Sequence, residues 1–194
     1  MKGWRVLWAV GGGVASLLMA AGAKAADSQE IIFNITILAG TCTVQAEDVA
    51  FGTLAGAEAI GKNWVPLGGT QPLRVTLSGC QGSSTSGTPK LTLSAAPGSA
   101  VLAGSGDTLF RDSTSTSRGL GIGVYRVPAP DTTSGQDFFV NGVPVPVGVP
   151  GAGWDTLNKV YDYAAGVSCG SACTLADLGA GTLKASVVFT FSYN

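Results

Sequence analysis

The sequence predicts an all-β fold, an antiparallel β-sandwich. Short runs rich in β-branched and aromatic residues recur with a period of two, stretches of Gly, Ser, Pro and Asp separate them, and no long stretch carries a helical period. The 29 glycines and the low charge content fit such a turn-rich chain.

The chain opens with Met1-Lys2-Gly3-Trp4-Arg5, an apolar run from Val6 to Ala21, and Ala23-Lys24-Ala25. That is the three-part pattern of a secretory signal peptide cleaved after Ala25, shorter than the roughly 20 apolar residues of a membrane span. The expected organisation is a leader over 1–25, an N-terminal arm over 26–38 that overlaps the first strand, and one β-sandwich domain over 39–194. Lys2, Arg5 and Lys24 leave with the leader, so eight basic residues face twelve acidic ones, a net charge near −4. Nucleic acid is therefore not an expected partner.

In the segment 31–38, Ile31, Phe33, Ile35 and Ile37 fall on one face of a predicted strand. Thr43-Val44-Gln45 continues it past Cys42, and Val49 to Gly52 reads as a short extension. Leu73, Val75 and Leu77 alternate with Arg74, Thr76 and Ser78 in a half-buried strand that ends at Cys80. Lys90 to Ala95 is the next strand, followed by a polar stretch with one short element at Leu109-Phe110. Gly119 to Val127 alternates around Leu120, Ile122 and Val124. Prolines between Pro128 and Pro150 limit that region to edge segments at 138–140 and 143–149, and Trp154 to Val167 holds a strand through Val160, Tyr161 and Tyr163. The last run, Gly181 to Asn194, alternates Leu183, Ala185, Val187, Phe189, Phe191 and Tyr193 with mostly polar neighbours, and is the cleanest strand signal in the chain.

Four cysteines, Cys42, Cys80, Cys169 and Cys173, lie in the exported portion, where an oxidising compartment pairs them. Spacing favours Cys42 with Cys80 and Cys169 with Cys173, among three permitted connectivities. Cys169 and Cys173 lack the spacing and the histidines of a redox or metal pair and read as a structural clasp.

The absence of histidine removes the commonest general base, the Ser-His-Asp constellation and the most frequent metal ligand. Asp107, Asp112, Asp131, Asp137 and Asp155 are numerous enough for a carboxylate pair, but they sit in Ser/Thr/Gly-rich loops and read as turn residues. Asn34-Ile35-Thr36 matches a glycosylation sequon inside a strand and carries little weight. Trp64 and Trp154 offer a stacking face for a sugar, against the plainer reading of core or edge anchors. No enzyme, cofactor or metal site is expected.

The arm beginning Ala26-Asp27-Ser28, the segment Gly40-Thr41-Cys42-Thr43-Val44, Phe51-Gly52, Leu73 to Cys80, Gly119-Leu120-Gly121-Ile122 and the closing Val187 to Tyr193 together resemble the chaperone–usher pilin family, the subunits of type 1-like fimbriae. The family's glycine fourteenth from the end and tyrosine next to last fall on Gly181 and Tyr193. The resemblance implies an incomplete immunoglobulin-like sandwich completed by a donor strand from a neighbouring subunit. It also implies a disulfide at Cys42 and Cys80, to which Cys169 and Cys173 are an addition.

The implied function is a structural subunit of an adhesive fimbria, exported through the periplasm to the cell surface. It would be captured by a periplasmic pilus chaperone, passed to an outer-membrane usher and polymerised with neighbouring fimbrial subunits by donor-strand exchange. Ile31, Phe33, Ile35 and Ile37 would be the donated side chains, and Gly181, Val187, Phe189, Phe191 and Tyr193 the groove and chaperone contacts. An arm of 16 residues before Cys42 points to a minor subunit, and from Ala26 to Ala39 it lacks the glycine common in family arms. A single-domain tip adhesin for a host glycan or surface receptor is the alternative, and a two-aspartate hydrolase a more distant one.

Overall fold

The computed structural model describes residues 41–81 and 87–193. The strand expected at 31–38 lies outside them. The elements in chain order are β1 (Thr41–Ala46), β2 (Leu67–Gln81), β3 (Pro89–Ala95), β4 (Ser99–Val101), β5 (Leu109–Asp112), β6 (Gly121–Tyr125), β7 (Pro144–Pro146), a single-turn helix α1 (Trp154–Leu157), β8 (Lys159–Ser168) and β9 (Val187–Tyr193). Two short 3-10 turns, Gly56–Ala59 and Gly135–Asp137, sit in connections.

The strands form two antiparallel sheets. One has the order β1-β2-β8-β6-β5-β4 and the other β7-β3-β9. Strand β2 is the spine of the larger sheet, since it pairs with β1 along one side and with β8 along the other. It is longer than Leu73 to Cys80 because it continues backward through Gly68 and Gly69. Both glycines have positive φ, and the pairing with β8 shifts register between Leu67 and Gln71. A residue with a Cβ resists that conformation, so the glycine pair lets the strand bend and stay in the sheet.

The faces that meet between the sheets are apolar for the reason the alternation predicts. Leu73, Val75 and Leu77 of β2, Leu91 and Leu93 of β3, Phe110 of β5 and Val124 of β6 are buried together, with Phe139, Leu157 and Tyr163. Arg74 points outward to an exposed ion pair with Asp162, 3.6 Å apart. Pairs of this kind contribute little, so burial between the sheets carries the fold.

Three expectations need correction. Val49 to Gly52 is not a strand, because its backbone runs along the sandwich rim after a last ladder-like bond from Glu47 N–H to Arg74 O. Residues 181–186 are not part of the last strand. Two of their carbonyls accept from the end of β5 and the loop after it, with Lys184 O bonded to the N–H of Asp112 and Thr182 O to those of Thr116 and Ser117, so no regular ladder forms until Val187. The segment from Trp154 begins with α1 and becomes strand only at Lys159.

Both disulfides favoured by spacing are present. Cys42–Cys80 ties β1 to β2, and Cys169–Cys173 closes the turn after β8. They mark opposite ends of the sandwich, since β8 runs from Lys159, paired with Leu77, to Ser168, paired with Gly121. Chain entropy predicts that replacing Cys42 and Cys80 by alanine lowers the unfolding free energy by about 4 kcal/mol, and replacing Cys169 and Cys173 by about 2 kcal/mol. Urea denaturation of the two double variants should return that order.

Candidate functional site

The site is built on β9, an edge strand among the described residues. Its register against β3 sets Val188, Thr190 and Ser192 opposite Ser94, Thr92 and Lys90. The carbonyls of Pro89 and Leu93 turn the other way, accepting from Val147 and Gly142 on the β7 side. Because peptide groups alternate sides along an antiparallel ladder, those of Val187, Phe189 and Phe191 point away from β3. No described strand pairs with them there.

The same three residues, with Tyr193, turn their side chains toward the core, while Val188 and Thr190 are exposed. Phe189 meets Phe139 edge-on at 5.8 Å and stacks over Tyr163 at 6.3 Å between ring centroids. The strand thus combines an unpaired backbone edge with an aromatic face, two groups that water serves poorly together.

Alongside this edge runs an open cleft between the rim segment 46–54 and the chain from Gly181 to Phe189. It widens into two cavities of about 520 and 290 Å³ that share Val49, Phe51, Ile122 and Ala185 as walls. The larger, toward the Cys169 end, is lined by Leu54, Leu67, Leu120, Val167 and Leu183; the smaller by Leu73, Val124, Val187 and Phe189. Its floor is therefore the inner face of β2, β6 and β8. The gap gives direct access to the layer between the sheets.

Gly181, Val187 and Phe189, three of the five groove residues expected from the sequence, line these cavities. Phe191 and Tyr193 lie further along β9, ring against ring at 5.3 Å, and pack on the core; the Tyr193 hydroxyl donates to Ala152 O at 3.0 Å. Ile31, Phe33, Ile35 and Ile37 fall outside the described residues. Sequence reasoning missed Leu183 and Ala185 as cleft walls, although they share the parity of Val187 and Phe189. Phe51, Leu54 and Ile122 come from distant segments, and no spacing connects them to β9.

Gly181 is required by close approach. A Cβ there would sit 2.5 Å from Ser117 N, and its φ of 152° is one that side chains disfavour. The bonds from Thr116 and Ser117 to Thr182 O hold that approach and set where the cleft wall begins.

Asp112 and Asp131 are turn residues, each accepting from the backbone N–H and hydroxyl of the threonine two positions on. Those bonds hold both carboxyls below their usual range, for Asp112 chiefly the backbone bond and for Asp131 chiefly the hydroxyl bond. Among the described residues no group of three or more His, Cys, Asp or Glu could hold a metal ion. Trp64 packs against Phe138 at 6.2 Å, whereas Trp154 is 53% exposed and anchors no core.

The architecture is similar to that in the crystal structure of the P pilus rod subunit PapA, with a TM-score of 0.50 and 20% sequence identity over 85% of this chain and 99% of that one. The fold is a pilin-like one. No protein-family model matches the chain, and no curated protein sequence matches it. In this pilin-like sandwich the last strand is the one whose outer edge carries the cleft, and its inward residues are those the alternation selected.

Two predictions follow from the geometry. Gly181→Val should lower stability by about 1–3 kcal/mol through the clash with Ser117, visible as a lower urea midpoint, whereas Val188→Thr on the exposed face should leave it unchanged. Burial, with a smaller effect of Tyr161, pushes the Tyr163 hydroxyl up to about 12, and burial with Asp137 does the same for Tyr125. Unfolded tyrosine ionises near ~10, so stability is fully present below that pH and is lost as pH rises toward about 12. Tyr163→Phe should flatten that alkaline loss in urea unfolding measured at stepped pH.

Proposed function

We propose that this chain is a structural subunit of a bacterial adhesive fimbria, polymerised by donor-strand exchange after capture by a periplasmic chaperone. The observation that carries the proposal is the open cleft beside β9, floored by Leu73 and Val124, where the peptide groups of Val187, Phe189 and Phe191 lack a described partner strand. An added β-strand answers both needs at once, because its backbone pairs with the edge and its alternate side chains fill the cavities.

The arm supplies a fitting occupant. Ile31, Phe33, Ile35 and Ile37 share one parity, and burying four such side chains is worth roughly 6–12 kcal/mol before ordering costs. A chaperone strand would occupy the cleft first, touching Val187, Phe189, Phe191 and Tyr193; an outer-membrane usher would then bring the arm of the next subunit. The reading puts the chain on the cell surface in a fimbrium, as a minor subunit on account of its short arm, with no catalytic role.

The test is complementation. The chain from Ala26 onward should aggregate alone and become soluble with its chaperone or with a synthetic peptide of residues 26–39. Ala185→Asp, which places a charge in the cleft, should abolish the peptide's effect on the thermal midpoint. A stable, monodisperse monomer that ignores the peptide would refute the reading.

A further inference from the structure

The Cys169–Cys173 clasp lies outside the resemblance, and its loop is too short for chain entropy to make it a major source of global stability. Its position is more informative. Both cysteines are buried, each 3% exposed, in a cluster with Ala59, Leu67, Leu120 and Val167, against which Phe51, Leu54 and Leu183 pack. Five of those apolar residues besides Phe51 and Ala59 reappear on the walls of the 520 Å³ cavity, as does Phe51 itself. The clasp thus stands directly behind the wider end of the cleft.

Its backbone also holds the segment 61–64 that the chain enters after the cleft's rim. The N–H of Gly61 donates to Cys173 O and that of Trp64 to Gly170 O, each at 2.8 Å, so two carbonyls of the clasp turn anchor the segment that follows Leu54 and Gly56. On its other side the turn is fastened by Ser171 Oγ donating to Gly104 O at 3.2 Å and by Gly170 N–H donating to Ser168 Oγ at 3.2 Å. The acceptors that position 61–64 are therefore fixed between a covalent bridge and the end of β8. Without the bridge, the turn can rotate its carbonyls away, and segment 61–64 loses its anchors while the cluster against which Leu54 packs loses two buried members.

We infer that the Cys169–Cys173 clasp is a positioning element for strand capture, one that shapes the Leu54 rim so that the 520 Å³ cavity accepts one end of an inserted apolar strand. The inference rests on the strand-exchange reading above. It assigns the clasp a local effect on recognition at one end of the cleft, distinct from a general effect on folding.

The test compares three synthetic peptides, residues 26–39, 26–34 and 31–39, competed at stepped concentrations against the chaperone complex of the chain from Ala26 onward and that of its Cys169→Ala/Cys173→Ala variant. The expected result is that the variant binds the full peptide and one shortened peptide at least about tenfold more weakly. The other shortened peptide, which does not reach the larger cavity, should bind both proteins equally. Equal weakening of all three peptides, or none, overturns the inference while leaving strand exchange intact. If the unaltered chain binds no peptide, strand exchange itself falls, and this inference with it. Leu54→Ala, which keeps the bridge and removes a cavity side chain packed on the same cluster, guards against a variant that fails to fold. It must show the same selective loss, and unaltered binding there overturns the inference too.

Discussion

A β-strand satisfies its backbone only if both edges meet something, and β9 meets β3 along one edge alone among the described residues. At an ordinary solvent-facing edge, water supplies the missing partners and polar side chains keep other molecules away. Here the residues that present the open edge also send Phe189 and Phe191 toward the core. Water cannot serve the edge without wetting the aromatic layer beneath it. This conflict leaves the β9 edge of the cleft without a strand partner among the described residues, and the features around it are best understood by how they hold it in shape.

Several constraints converge on its walls. Gly181 permits the chain to pass against Ser117, and the bonds from Thr116 and Ser117 to Thr182 O and from Asp112 to Lys184 O deliver Leu183 and Ala185 to one side. The Cys42–Cys80 bridge anchors β1, whose continuation forms the other side. Between them the floor is ordinary core, Leu73 of β2 and Val124 of β6, that would be sealed in a closed sandwich. The carboxylates of Asp112 and Asp131 take no part, since each spends one oxygen on the threonine two positions on.

Much of the fold was legible because alternation survives wherever one face of a strand is buried. Leu73, Val75 and Leu77 in β2, Leu91 and Leu93 in β3, and the inward residues of β9 all lie where a period of two places them. The reading failed where hydrogen bonding rather than side-chain pattern decides. Leu183 and Ala185 keep the alternation, yet the neighbouring Thr182 and Lys184 accept from Thr116, Ser117 and Asp112, at and beyond the end of β5, and form no regular ladder. Trp154 was expected to be an anchor and stands exposed, because α1 turns it away from the core that Leu157 enters.

The sequence by itself determined the class of fold, the pairing of cysteines close in the chain, and which residues of the last strand face inward, since each follows from local periodicity or short separation. Only the tertiary structure decided that two sheet edges stand apart over an open cleft, and that Phe51, Leu54 and Ile122 help to wall it. The physical reason is that alternation specifies which face of a strand is buried but not what covers it. A cleft is a relation among segments distant in the chain, so it exists only once the sheets have packed.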